Sequence, residues 1–317
     1  MTNSTASNST EEPELNTLQE VEDVLWLYFG TIVLVVGTVG HLLTIIVTLS
    51  SSSSRRHSSS VYISALALSG LLILYTSLLS FLISWHTAWE VDVKNTSSLA
   101  CKLHTGFSYF SLQYFAWLQA TIAVDRMLSV VKPQWYSISC QWRPAIITVF
   151  VELIVCLLVN IVYVYVMVGL DRDGFCVSIN KALWNVYKYA DFVSFSIIPA
   201  AILLICNGII VYKFARMSKL TTIRRRSITI TLMVVNVVFL VTTLPISLIY
   251  QVDWTMYDYD VISLVFAIFS LFQYTGSAST FLIYCLCASK FRKRLKSIFA
   301  KLTCPKPSAT LTAEEMI

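Results

Sequence analysis

Asp125 and Arg126 stand side by side at the end of a long apolar stretch, where an acid and a base are the residues most able to do chemistry. Ionised side chains at the edge of a bilayer's hydrocarbon are costly unless they neutralise one another or meet water. An adjacent acid and base meet that condition at rest, and the base can engage a partner once the pair opens. The plainer alternative is an arginine reaching toward the interface from a helix end. Two other ionisable residues, His41 and Glu152, lie inside apolar stretches. An imidazole titrates near neutral pH, but a neutral structural histidine is the simpler reading of His41. Glu152 has two readings, contact with a neighbouring helix or with a partner protein. Ser and His occur, yet the apolar stretches bring together no Ser/His/Asp set and no pair of carboxylates. No CxxC or Cys/His spacing suggests zinc. The expectation is a protein that is not an enzyme and has no cofactor, metal or nucleic-acid partner.

The composition says what must hold these residues. Of 317 residues, 56% are hydrophobic and 13% are charged, and the mean hydropathy is +0.69. A soluble domain carries about 25% charged residues, so this chain lacks the surface to dissolve as a monomer. Seven apolar stretches of spanning length emerge: Val24–Leu49, Ser60–Trp85, Leu103–Val131, Pro144–Val168, Tyr187–Ala215, Ser227–Tyr250 and Val261–Ala288. The expected fold is all-α, a seven-helix transmembrane bundle over 24–288. Residues 1–23 form an outer segment, 289–302 an amphipathic helix on the membrane surface, and 303–317 a short tail. In that helix Phe291, Leu295, Ile298, Phe299 and Leu302 recur at helical spacing between Lys and Arg residues. Met1–Asp23 is polar and acidic, without a basic start or apolar core, so the first span is expected to target the chain.

Loop charges give the orientation. The loops after spans one, three and five, with the tail, hold Arg55, Arg56, Lys132, Arg143, Lys213, Arg216, Lys219, Arg224–Arg226 and Lys290 through Lys306. The opposite face is rich in Glu and Asp. Positive charge marks the cytoplasmic side, so the N-terminus is expected outside a plasma-membrane protein and the C-terminus inside. The sequons at Asn3, Asn8 and Asn95 all fall on the outer face and are expected glycosylation sites. Cys156, Cys206, Cys285 and Cys287 lie in or beside apolar helices, and Cys140 and Cys304 in basic segments kept reduced. Only Cys101 and Cys176 fall outside. No internal repeat of the transporter kind is present.

These landmarks carry a family resemblance. Cys101 begins span three, and Asp125-Arg126-Met127 ends it twenty-five positions after Cys101. Pro133 follows, Cys176 lies between spans four and five, and span five holds Pro199. Span six holds Phe239 and Pro245, and span seven closes with Thr280-Phe281-Leu282-Ile283-Tyr284 before Phe291. In that order and register the chain resembles a class A, rhodopsin-like G-protein-coupled receptor over nearly its whole length. Ser60-Val61-Tyr62-Ile63-Ser64, Cys101-Lys102-Leu103-His104 and Leu204-Ile205-Cys206-Asn207 are similar to invertebrate peptide receptors of the FMRFamide type. The resemblance implies a Cys101–Cys176 disulfide, which agrees with their being the two outer cysteines. It also implies coupling to heterotrimeric G proteins and arrestin through Asp125, Arg126 and Met127, with Pro199, Asn207, Phe239, Thr243, Pro245 and Tyr284 as switch positions.

Departures from the family pattern are equally specific. The span-one Asn falls on His41, the span-two Asp on Gly70, the span-four Trp on Phe150 and the span-five Tyr on Asn207. The span-six Trp falls on Thr243, and the span-seven Asn-Pro on Thr280-Phe281. The family's sodium site would lie at Gly70, Phe115, Gly276 and Thr280. A hard cation needs oxygen ligands and charge, so this pocket is expected to be dry, with Phe115 filling it. The position of the usual acid opposite Arg126 falls on Arg225.

Ser108 stands where amine receptors carry an Asp, and Tyr274 where opsins carry a retinal-binding Lys. The candidate ligand pocket is aromatic and acidic: Trp85, Ser108, Tyr109, Asp191, Phe192, Tyr250, Asp253, Trp254, Phe266 and Tyr274. Carboxylates among aromatic rings suit an extracellular Arg- or Lys-bearing peptide such as an Arg-Phe-amide. Alternatives are a solvated acidic rim with an interfacial aromatic belt, a channel or transporter, and a receptor-like partner or decoy that no longer signals. Membrane lipids are expected partners in every case.

Overall fold

In the computed structural model, residues 11–50, 57–139, 141–216, 223–252 and 258–303 are described, and they are almost entirely helical. Span one joins Glu11–Val24, a π-helical turn Leu25–Gly30 and Thr31–Leu49; span two joins Ser58–Ile73, a second π turn Leu74–Leu78 and Leu79–His86. Spans three, four and six are Ser98–Val131, Trp142–Met167 and Ile223–Ile249. Span five joins Lys181–Asp191, a third π turn Phe192–Ile197 and Ile198–Arg216. Span seven joins Tyr259–Ala278 and Thr280–Cys287. A loop helix Pro133–Ser139 follows span three, and a terminal helix Ser289–Thr303 follows span seven. The only described strands, β1 (Val168–Leu170) and β2 (Cys176–Ser178), pair antiparallel in the loop between spans four and five.

Helices are forced by the solvent, because hydrocarbon offers no partner to a backbone N–H or C=O. Six of the described helices are long and apolar enough to cross a membrane. The chain is a multi-pass membrane protein. Span three is long enough too, but it carries Ser111, Gln113, Gln119, Asp125 and Arg126, all buried. It can be this polar because it is the central helix, packed against spans two, four, five and six rather than lipid. Span four is its opposite, burying only Ala145, Cys156, Asn160, Tyr163 and Val164 among its residues. The π turn before Pro199 widens the helix where proline supplies no N–H.

Every span starts earlier than the sequence reading had it, by the most in spans one and five. Span one begins at Glu11, not Val24, since its acidic turn has partners: Ser263 Oγ donates to Glu22 at 2.8 Å and Trp85 Nε1 to Asp23 at 2.8 Å. Span five begins at Lys181, where Asn180 caps the helix by accepting from the Leu183 N–H at 3.2 Å. The terminal helix closes on span seven through Phe291, whose ring lies 5.7 Å from Tyr284 and 5.9 Å from Phe281. Arg292 donates to the last carbonyls of span seven, at 3.1 Å to Cys285 and 2.6 Å to Leu286.

Candidate functional site: two polar clusters joined by span three

Span three carries one cluster at each end. At the Arg126 end, Arg126 donates through Nε to Asp125 at 2.9 Å and forms a second, charge-assisted contact through Nη2. Each residue is 7% exposed, so the pair is buried. Tyr136, from the loop helix, completes it. Its hydroxyl donates to Asp125 at 3.0 Å and accepts from Arg126 at 2.6 Å and from Ser58 Oγ at 2.7 Å. One donor and two lone pairs are thereby all used. Burial pushes the Tyr136 phenol up to about 12 against the pull of the Arg126 charge, so it keeps its proton at physiological pH. The sequence reading had paired Arg126 with Asp125 alone. Tyr136 and Ser58 were missed because their contacts depend on how the loop folds back. Met127 packs partly buried against the core, and the side chains of Arg224–Arg226, including Arg225, lie outside the described residues.

At the other end, Cys101 and Cys176 form the expected disulfide, with Cα atoms 5.5 Å apart. It ties span three to β2. Asn95 adds a second tie: its Oδ1 accepts from the Cys176 N–H at 2.8 Å, and its Nδ2 donates to Asp92 at 2.9 Å. This residue is also one of the three expected sequons, and Ser97, its third position, caps span three by accepting from the Ala100 N–H at 3.1 Å. Asn95→Gln is therefore expected to lower surface expression more than Ser97→Asp. The first breaks both bonds, a loss of roughly 2 kcal/mol at about 1 kcal/mol each; the second removes the sequon but keeps a good helix cap. Equal losses, read by flow cytometry of an N-terminal tag, would assign the effect to the glycan instead. Asn3 and Asn8 lie outside the described residues.

Below the disulfide, Gln113 Nε2 donates to Asp191 Oδ1 at 2.6 Å, and Asn160 Nδ2 donates to Gln113 Oε1 at 2.8 Å and to the Cys156 carbonyl at 2.7 Å. An amide relay thus links Asp191 of span five through span three to span four. Tyr163 stacks on Tyr187, and Tyr109 meets both edge-on, at 5.6 Å and 5.8 Å between centroids. The Tyr187 hydroxyl approaches the Asp191 carboxylate without completing a hydrogen bond. Asp191 and Tyr109 are brought together as expected. Gln113, Asn160, Tyr163 and Tyr187 were missed, although their spacing along apolar helices was a signal.

Of the other pocket candidates, Trp85 and Ser108 part from this cluster, while Tyr250 stays within electrostatic reach of Asp191 and Tyr109, and Tyr274 within reach of Tyr250. Trp85 belongs to span one's packing rather than to the Asp191 cluster: its N–H is spent on Asp23, and its ring lies 6.0 Å from Trp26 and 5.4 Å from Trp89. Ser108 is drawn to span two, donating to the Thr76 carbonyl at 3.1 Å. Tyr250 packs on Phe266 at 5.1 Å, Phe192 lies in the π turn following Asp191, and Tyr274 is 5% exposed in the core. Asp253 and Trp254 lie outside the described residues.

The positions of the expected dry pocket are filled, though not as expected. A Cβ built on Gly70 would clash with Cε1 and Nε2 of the His41 ring, and one on Gly276 would overlap the Thr242 hydroxyl. Spans one and six supply the filling groups. Phe115 instead faces Phe239 at 5.8 Å and, with Ile73, Thr243 and Ser277, lines a cavity of about 10 Å³, room for one water at most. Thr280 turns inward on its own helix, donating to the Ser277 carbonyl at 2.9 Å. Pro199 and Pro245 both lie within helices, as expected, and Asn207 accepts from Asn236 at 3.4 Å. Glu152 accepts from Thr121, one turn above Asp125, which decides for a neighbouring helix in the reading of that residue.

Over residues 40–284, more than three quarters of its length, the chain matches the family described as 7 transmembrane receptor (rhodopsin family).

Proposed function

From the premise that this chain belongs to the rhodopsin family of seven-transmembrane receptors, a family of receptors rather than enzymes, we propose that it is a cell-surface receptor for a cationic peptide. The disulfide end faces outward and the Arg126 end meets the G protein. The observation that carries the ligand reading is Asp191, a half-buried carboxylate held by Gln113 and walled by Tyr109, Tyr163 and Tyr187. Tyrosine faces and an anion with oxygen lone pairs still open attract an Arg or Lys side chain by cation–π contact and charge-assisted hydrogen bonds. An Arg-Phe-amide peptide offers both a guanidinium and an apolar ring. The intact Asp125–Arg126–Tyr136 cluster supports a signalling receptor over a silent partner or decoy, because a chain released from coupling has no need to bury an ion pair.

The test is a peptide-library screen with promiscuous G-protein readout, followed by Asp191→Asn. Truncating one partner of a desolvated charge pair costs roughly 2–5 kcal/mol, so potency for the peptide found should fall at least tenfold. An anionic or lipid agonist, or an Asp191→Asn receptor of unchanged potency, would refute the cationic-peptide reading.

A further inference from the structure

Phe115 of span three and Phe239 of span six meet at 5.8 Å in the interior of the bundle. One turn nearer the Arg126 end the same two faces carry Gln119, four residues after Phe115, and Asn236, three residues before Phe239. Each is 1% exposed. Nε2 and Oε1 of Gln119 both lack a partner among the described residues, and Asn236 spends Nδ2 on Asn207 at 3.4 Å but leaves Oδ1 unpaired. Span seven packs against span six and adds two more unpaired groups, the Ser277 Oγ and, two turns on along the same face, the Tyr284 hydroxyl. Ser277 also lines the cavity of about 10 Å³ beside Phe115 and Phe239. A buried polar atom without a partner is rare, and hydrocarbon supplies none. Here five of them fall on three neighbouring helices.

We propose that Gln119, Asn236, Ser277 and Tyr284 form a site for bound water that joins spans three, six and seven. The chemistry of the set selects the ligand. It offers one amide donor, two carbonyl acceptors and two hydroxyls that can do either. A cation would meet the amide N–H and an anion the carbonyl oxygens, whereas water donates and accepts at once. A buried water makes about three hydrogen bonds to groups that have no other partner, and it needs about one probe sphere of space. The cavity on which Ser277 opens is of that size. Water bonds then link the three helices where their own side chains do not reach one another.

The test uses the full-length chain purified in detergent and radiolytic hydroxyl labelling, in which water bound beside a buried ring is the source of the radical. Tyr284 should be labelled in the folded protein although it is buried, with the exposed Tyr259 as reference in the same sample. Gln119→Leu removes the amide with little change of volume. It should cut Tyr284 labelling several-fold relative to Tyr259 and lower the melting temperature by about 2–4 °C, the shift for one net hydrogen bond lost. Asn236→Leu takes its place if Gln119→Leu does not purify as a folded monomer. Tyr284 unlabelled beside a labelled Tyr259, or labelling undiminished in the folded variant, would overturn the proposal. So would a variant that melts above the parent, since the amide it removed would then have been unpaired.

Discussion

Arg126→Ala is expected to remove ligand-evoked signalling, while Tyr136→Phe is expected to raise signalling without ligand. Both follow from one cluster in which every polar group has a partner. Removing Arg126 deletes the cation offered to a G protein and leaves Asp125, 7% exposed, with Tyr136 as its remaining described donor outside its own helix. Breaking a buried ion pair costs roughly 3–5 kcal/mol, so surface expression should fall as well as signal. Tyr136→Phe spares the ion pair but removes the hydroxyl that holds both members and Ser58. The arginine is then freer to leave Asp125. Second-messenger output at matched surface expression is the measurement. A fully active Arg126→Ala receptor would exclude this cluster from coupling. A Tyr136→Phe receptor as quiet as the parent would mean that the hydroxyl is not part of the restraint.

Gly70→Asp, the substitution that restores the family's acidic residue in span two, is expected to abolish surface expression. Two costs coincide. The ring of His41 already occupies the place of a Cβ at Gly70, and overpacking of this kind costs about 1–3 kcal/mol. A carboxylate there meets only the His41 ring among its nearest side chains, and the overlap leaves no room for an ion pair with it, so burying the acid adds a desolvation cost. Gly70→Ala isolates the steric part and should lower the melting temperature by itself. Gly70→Asp with His41→Asn restores the family's pair, removes the imidazole and should recover much of the expression. An unchanged Gly70→Ala protein would mean that the two helices do not approach as closely as described. The same filling predicts no sodium effect: the melting temperature should be equal in sodium and potassium chloride at one ionic strength. Building a sodium site would also require changes at Thr242, which crowds Gly276, and at Phe115.

The sequence by itself determined the class of this protein, because the bilayer imposes its demand on each segment separately. A run of about twenty apolar residues must be a helix whatever its neighbours are, so the spans, the membrane location and the family landmarks could all be read along the chain. The Cys101–Cys176 disulfide was legible for a similar reason, since topology leaves these two cysteines together on one face. Which side chains meet across helices is a different kind of fact. It depends on helix rotation and on loops, and no local pattern encodes either. The sequence reading therefore placed Trp85 in the pocket, whereas Asp23 holds it against span one. It gave the space at Gly70 to Phe115, whereas His41 takes it. It found Arg126 but not Tyr136, ten residues on and across a loop. Asp191 was recognisable as a carboxylate among aromatics; only the packing of spans three, four and five shows that Gln113 and Asn160 stand behind it. Polar residues on apolar helices announce that partners exist. Tertiary structure chooses them, because in hydrocarbon a buried hydrogen-bonding group needs a partner and has no water to supply one.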